Sequence, residues 1–205
     1  MTPAVKSLLK ELDHTLEQAP SAWRSAALRG IVDLFVAGAE TFSEDHVAIF
    51  DEVMCRLIKK NVDRTLLADL SNRLAPIANA PTQLVSTLAH HVDSAVHGPV
   101  LTHARALSDE ALVDIANRDR IDPKLLNRIA DRPHLSEAVT DVLLKRGNQL
   151  LQRKLIDNPN ARISQSGFAR LIIGINGNKP LAAAIAARDD VPPELRIWLD
   201  KTLGQ

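Results

Sequence analysis

Apolar residues recur at helical spacing along nearly the whole chain, and no run alternates apolar with polar residues long enough to make a strand. Val5, Leu8, Leu9, Leu12 and Leu16 share one face of a helix expected over residues 3–18, which Pro20 breaks. Ser21 is placed to cap a second helix carrying Trp23, Leu28, Ile31, Val32, Leu34 and Phe35. Ser43 is placed to cap a third that ends near Lys59 and Lys60. In that third helix Glu44 and Asp45 stand at the positive end of the macrodipole and the two lysines at its negative end. The expected fold class is all-α, opening with an N-terminal helical bundle over residues 1–62.

From residue 63 the rhythm shortens and begins to repeat. Aligning "LAPIANAP", "VLTHARAL", "LNRIADRP" and "QRKLIDNP" sets Ile77, His103, Ile129 and Leu155 in one register 26 residues apart, with Ile185 following after a longer gap. Ser108, Ser136 and Ser164 recur every 28 residues where a helix N-cap belongs, and Pro192 falls one step further, where proline suits a first helical turn. After Ser108 the apolar positions are Ala111, Leu112, Ile115 and Ala116; the same offsets after Ser164 give Gly167, Phe168, Leu171 and Ile172. The middle copy, Ala138, Val139, Val142 and Leu143, reads as starting one residue earlier.

Each copy is thus a pair of short helices, neither of which can bury its apolar stripe alone. Stacking successive pairs makes a continuous core, the logic of a HEAT-like α-solenoid over residues 63–205. The turn residues agree. Asp122 with Pro123, and Asn178 with Pro180, begin helices, while Gly147 and "GINGN" at residues 174–178 end them. The last stretch, "PPELRIWLDKTLGQ", is expected to turn Trp198 and Leu199 inward and Arg196, Asp200 and Lys201 outward as a capping unit.

The stretch "LSDEALVDIA…LNRIADRPHLSEAVTDVLLKRG…LLQRKLIDNPNARISQSGF" resembles a bacterial family known as domain of unknown function 2336, whose members are HEAT-like helical-repeat proteins. "SEDHVAIFDEVMCRLI" and "LADLSNRLAPIANAP" are similar to that family's pattern too, so the resemblance runs from about residue 40 onward. One departure is "AVHGPVLTHA", where the family pattern is a simpler apolar and proline one without the two histidines. The resemblance implies a fold. It brings no activity with it, so no catalytic residue is carried over.

Composition narrows the function classes. With 45% hydrophobic residues in 205, the chain can bury the core of one domain or of two small ones. Its 25 basic and 25 acidic side chains cancel, so no overall field draws it to nucleic acid or anionic lipid. The opening "MTPAVKSLLKELDHTLEQAP" is interrupted by charges and lacks the apolar run of a secretory signal, and no later stretch reaches the roughly 18 apolar residues of a membrane span. A cytoplasmic location without membrane contact is the expectation. Cys55, the single cysteine, rules out an intrachain disulfide and lies in the apolar setting of Val47, Ile49, Phe50, Val53, Met54 and Leu57, where a packed thiol is expected.

Charge is uneven locally. Lys145, Arg146, Arg153, Lys154, Arg162 and Arg170 stand against Asp157 alone within residues 145–170, a set that could dock phosphates or an acidic partner if it gathered on one face. Asp109, Glu110, Asp114, Asp119 and Asp122 supply an acidic counterpart, and such a dipolar molecule could self-associate. His90, His91, His97 and His103 fall in one helix-loop-helix unit, and His103 occupies a register of core aliphatics. The pairs Asp109–Glu110 and Asp189–Asp190 sit near expected helix starts, where they suit exposed N–H groups better than acid–base chemistry. "GINGN" lacks the Lys and Ser/Thr of a phosphate loop.

No enzyme and no cofactor are expected. The leading expectation is a non-catalytic interaction module for a protein partner, acidic in character, bound on exposed positions of the second helix of each pair, with Lys145, Arg146 and Arg170 foremost. One alternative is a HEAT-like nucleic-acid-binding protein or DNA-processing enzyme, opposed by the neutral net charge and an aromatic content of 3%. Another is a metal-dependent or pH-responsive regulator centred on His97 and His103.

Overall fold

The computed structural model describes residues 10, 11, 14, 15, 18–59, 63–175 and 177–203. The apolar face expected from Val5 to Leu16 lies outside the described residues, as do Lys60 and Asn176. Among the described residues all regular elements are helices, as the all-α reading expects: α1 (Ser21–Gly38), α2 (Glu44–Ile58), α3 (Arg64–Leu74), α4 (Thr82–Ala89), α5 (Ser94–His103), α6 (Asp109–Ala116), α7 (Pro123–Ala130), α8 (Glu137–Arg146), α9 (Gln149–Asp157), α10 (Gln165–Ile173), α11 (Lys179–Ala186) and α12 (Pro193–Leu203). They fall into two compact units, Met1–Leu107 and Ser108–Gln205, so that α3 to α5, grouped by rhythm with the repeats, pack beside α1 and α2.

In the first unit α1 lies on α2 and α3, α2 on α4, and α5 on both α3 and α4. Leu28, Val32 and Phe35 form the buried stripe of α1, while Trp23 and Leu34 fall off it and stay 47% and 61% exposed. Phe35 meets the edge of Phe50 at 5.1 Å, and Phe42 closes the cluster at 5.0 Å from Phe50. Ser43 caps α2 as expected, in a reciprocal box with His46. Ser21 does not cap α1: it is the first helical residue, behind Pro20, and no side chain takes that role.

In the second unit the helices run from 8 to 11 residues, shorter than the ~12–15 at which isolated helices become even marginal in water. Packing must hold them. α6 packs on α8, α8 on α10 and α10 on α12, while α7 packs on α9 and α9 on α11. The helices of the first row begin at residues 109, 137, 165 and 193, and Ser108, Ser136 and Ser164 each accept a bond from the backbone three residues on. Pro192 itself sits one place before α12, and Pro193 takes the first helical position. Asp122 and Asn178 cap α7 and α11, Gly147 ends α8, and Gly177 adopts φ 80° in the turn before α11, a left-handed conformation that favours glycine.

Two details of the repeat register are corrected. The middle copy does not start early: Val139, Thr140, Leu143 and Leu144 are all buried, at the same offsets from Ser136 as the apolar positions of the other copies, while Ala138 is exposed. A polar threonine in a core position had disguised the register. The 26-residue alignment holds for Ile129 and Leu155, both fully buried, and for Ile185 beyond the gap, but fails upstream. Ile77 is half-buried in the turn after α3, and His103 is exposed at the end of α5, whose inward positions are Val96, His97, Val100 and Leu101.

Close approach of α8 and α10 depends on Gly167, where a Cβ would fall 2.8 Å from Asp141 Oδ1 and 2.9 Å from Ile163 Cγ2. Nearby, the Thr140 hydroxyl is buried with no hydrogen-bond partner among the described residues. Thr140→Val, nearly the same shape without the unpaired oxygen, is therefore expected to raise stability by about 1 kcal/mol. A urea-unfolding midpoint at or below that of the unmodified protein would show the hydroxyl to be satisfied.

Candidate functional site

The six basic residues of the 145–170 segment divide into two groups. Arg146 is turned back on the fold, donating to the carbonyls of Asn117 at 2.8 Å and Arg118 at 2.6 Å, just beyond the end of α6. Lys154 pairs with Asp131 and donates to the Asn127 carbonyl at 3.3 Å, near the end of α7. Arg153 is clipped to Asp157 on its own helix at 2.8 Å, a contact that holds the guanidinium above its usual pKa. These cations serve helix ends and neighbours, where a positive charge complements the carbonyls left without intrahelical partners.

Lys145, Arg162 and Arg170 are exposed, and among the described residues their side chains have no ion-pair or hydrogen-bond partner. Lys145 and Arg170 come together. They line a cleft of about 280 Å³ between α8 and α10 with Asn117, Asp141, Val142, Ser166 and Gly167. Arg162 is not in that cleft; its backbone N–H donates to Leu135 O at 2.9 Å in a single parallel bridge that joins the loops ahead of α8 and α10. Asp141 is fixed by Ser164, whose hydroxyl lies 2.8 Å from both carboxylate oxygens.

A larger cleft of about 490 Å³, between α9 and α11, is lined by Arg153, Asp157, Arg188, Asp189 and Asp190 around Ile156, Pro159, Ala184 and Ala187. Its charges largely cancel in pairs. Arg188 is buried and paired with Asp190 at 2.8 Å, so Asp190 serves that guanidinium rather than the start of α12. Asp109 and Glu110 do occupy the first turn of α6, where backbone N–H and the Ser108 side chain hold the Glu110 carboxyl below its usual range.

The histidines are not gathered. His97 is buried, its Nδ1 3.0 Å from the His91 carbonyl and its Nε2 without a partner among the described residues, whereas His103 faces outward from the same helix. His90 contacts the Ser86 carbonyl through Nδ1 at 2.6 Å, and His91 Nδ1 accepts from the Asp93 N–H at 3.0 Å. No three His, Cys, Asp or Glu side chains among the described residues are arranged to hold a metal ion.

Two residues with large structural roles carried no motif. Asp51, buried in α2, accepts from the N–H groups of Gln83 and Leu84 at 2.8 Å each, capping α4, which lacks a local cap because Pro81 precedes it. The Cys55 thiol points at the same carboxylate, 3.4 Å from Oδ1. Burial, then the adjacent Asp51 charge, push that thiol up to about 12, so it stays protonated at neutral pH and is a poor nucleophile. Arg188 is the other residue, buried and donating to the carbonyls of Ile156, Asn158 and Ala161.

The final helix also differs from expectation. Leu199 is buried, but Trp198 remains 47% exposed, and Arg196 turns inward to donate to the Arg188 carbonyl at 2.8 Å. Among the described residues no helix is long and apolar enough to cross a membrane.

No curated protein and no solved structure matches the chain. Residues 96–205, more than half of the sequence, match the family model described as an uncharacterised protein conserved in bacteria, DUF2336, and the chain belongs to that family.

Proposed function

We propose that this protein is a non-catalytic interaction module in which the paired helices of the second unit form a HEAT-like solenoid and the row α6, α8, α10 and α12 presents the binding face to an acidic protein partner. One observation carries this reading: Lys145 and Arg170, from two helices of that row, converge on one cleft and among the described residues have no side-chain partner, while Arg146, Arg153 and Lys154 are spent within the fold. Two exposed cations that share a cleft with a single carboxylate, Asp141, carry a net positive charge that favours an external anion.

The test is site-specific photo-crosslinking in cells. A crosslinking residue at exposed Ala138 of α8 or Ile173 of α10 is expected to give an adduct with one protein, and the same residue at exposed Ala183 of α11 is expected to give none. Absence of any adduct from the α8 and α10 positions, or equal labelling from α11, would remove the module as assigned.

A further inference from the structure

We propose that the cleft between α8 and α10 binds a side-chain carboxylate from an acidic segment of the partner, held between Lys145 and Arg170. This deepens the reading above and rests on it. The cleft brings one lysine and one arginine against a single carboxylate, Asp141, held by the one Ser164 hydroxyl, which lies 2.8 Å from both of its oxygens. That leaves one positive charge unbalanced. A monoanion neutralises it, whereas a phosphate dianion would leave an excess negative charge beside Asp141, and like charges brought together in a cleft are costly.

Geometry suits the same ligand. The planar guanidinium of Arg170 can take a carboxylate through two parallel N–H bonds, and Lys145 adds a mobile point charge from the opposite helix. Asn117 and Ser166 give polar edges, and half-buried Val142 gives an apolar contact for the methylene groups of a glutamate. Gly167, with no side chain of its own, adds no bulk to the floor.

The full chain is titrated against a fluorescein-labelled oligoglutamate peptide at low ionic strength and followed by fluorescence anisotropy. Lys145→Glu and Arg170→Glu are each expected to weaken binding by about tenfold or more, the scale of one charge-assisted hydrogen bond. Arg170→Gln is expected to weaken it less, and Lys124→Glu, the same charge change at an exposed site on α7, is expected to leave it unchanged. Added salt weakens binding of the unmodified protein. Failure of oligoglutamate to bind, equal weakening by Lys124→Glu, or tighter binding of the matched phosphoserine peptide overturns the proposal. If the crosslinks from α8 and α10 persist in any of those cases, the interaction module stands and only its ligand chemistry is wrong.

Discussion

Arg188→Ala is expected to destabilise the second unit by about 2–4 kcal/mol, the scale of leaving buried carbonyls without their donor at about 1–3 kcal/mol each. The guanidinium donates to the carbonyls of Ile156, Asn158 and Ala161 at 3.0, 2.7 and 2.8 Å and lies 6.0 Å from the centre of the Phe168 ring. Ile156 is in the last turn of α9 and Asn158 is its C-cap, so one side chain satisfies the end of one helix and the loop that leads to the next. Truncation takes the guanidinium donor from the buried Ile156 and Ala161 carbonyls, while the Asn158 carbonyl keeps the Ala161 N–H at 3.2 Å, and an unsatisfied buried acceptor costs more than the lost attraction itself.

Arg188→Lys separates the two contributions. A single ammonium on a flexible stem keeps the charge but cannot reach three carbonyls and a carboxylate together, so it should recover less than half of the loss. Asp190→Asn should cost no more than about 1 kcal/mol, because the Asp190 side chain is 44% exposed and water can take its place. Denaturant unfolding, with amide exchange at the end of α9 as the local readout, distinguishes these variants. If Arg188→Ala costs less than about 1 kcal/mol, the carbonyls are solvated and the residue is no clamp.

Local patterns in the sequence carried the helices well and their partners poorly. Ser108, Ser136 and Ser164 were readable as caps because a cap bonds within three residues of its own position. The buried stripes of α7, α9 and α11 were readable because Ile129, Leu155 and Ile185 share a local apolar pattern. His103 followed the same alignment and yet faces outward, since the letters around it match while the inward face of α5 is set by Val96, Val100 and Leu101.

Charge pairing was less legible still. The basic segment looked continuous, but its residues answer to Asn117, Asn127, Asp131 and Asp157, three of which lie outside it in the chain. Which of the six have no side-chain partner among the described residues, Lys145, Arg162 and Arg170, followed from subtraction that only three-dimensional neighbours permit. Arg188 offered a faint sequence signal. It stands three residues after Ile185, as Arg118, Arg132 and Asn158 stand three after Ile115, Ile129 and Leu155, a place just past a helix end where a side-chain donor is useful.

The second large effect is expected at Asp51. Asp51→Ala should destabilise the first unit by about 2–4 kcal/mol, because two charge-assisted bonds to the start of α4 disappear and the N–H of buried Leu84 is left without an acceptor. Asp51→Asn should be nearly as damaging: an amide keeps one acceptor oxygen and turns a donor toward a second N–H. Cys55 supplies an independent readout. The Asp51 charge and its bond to the thiol are two of the causes that raise the Cys55 pKa, so their removal should lower it and speed reaction with a disulfide reagent under conditions where the variant remains folded. Burial, the largest cause, is unchanged and keeps the rate below that of an exposed thiol. Cys55→Ala, which leaves the carboxylate in place, should preserve slow amide exchange at Gln83 and Leu84, whereas Asp51→Ala should abolish it. Slow exchange surviving in Asp51→Ala would mean that α4 finds its cap elsewhere and that the long-range bond between α2 and α4 does not hold the first unit together.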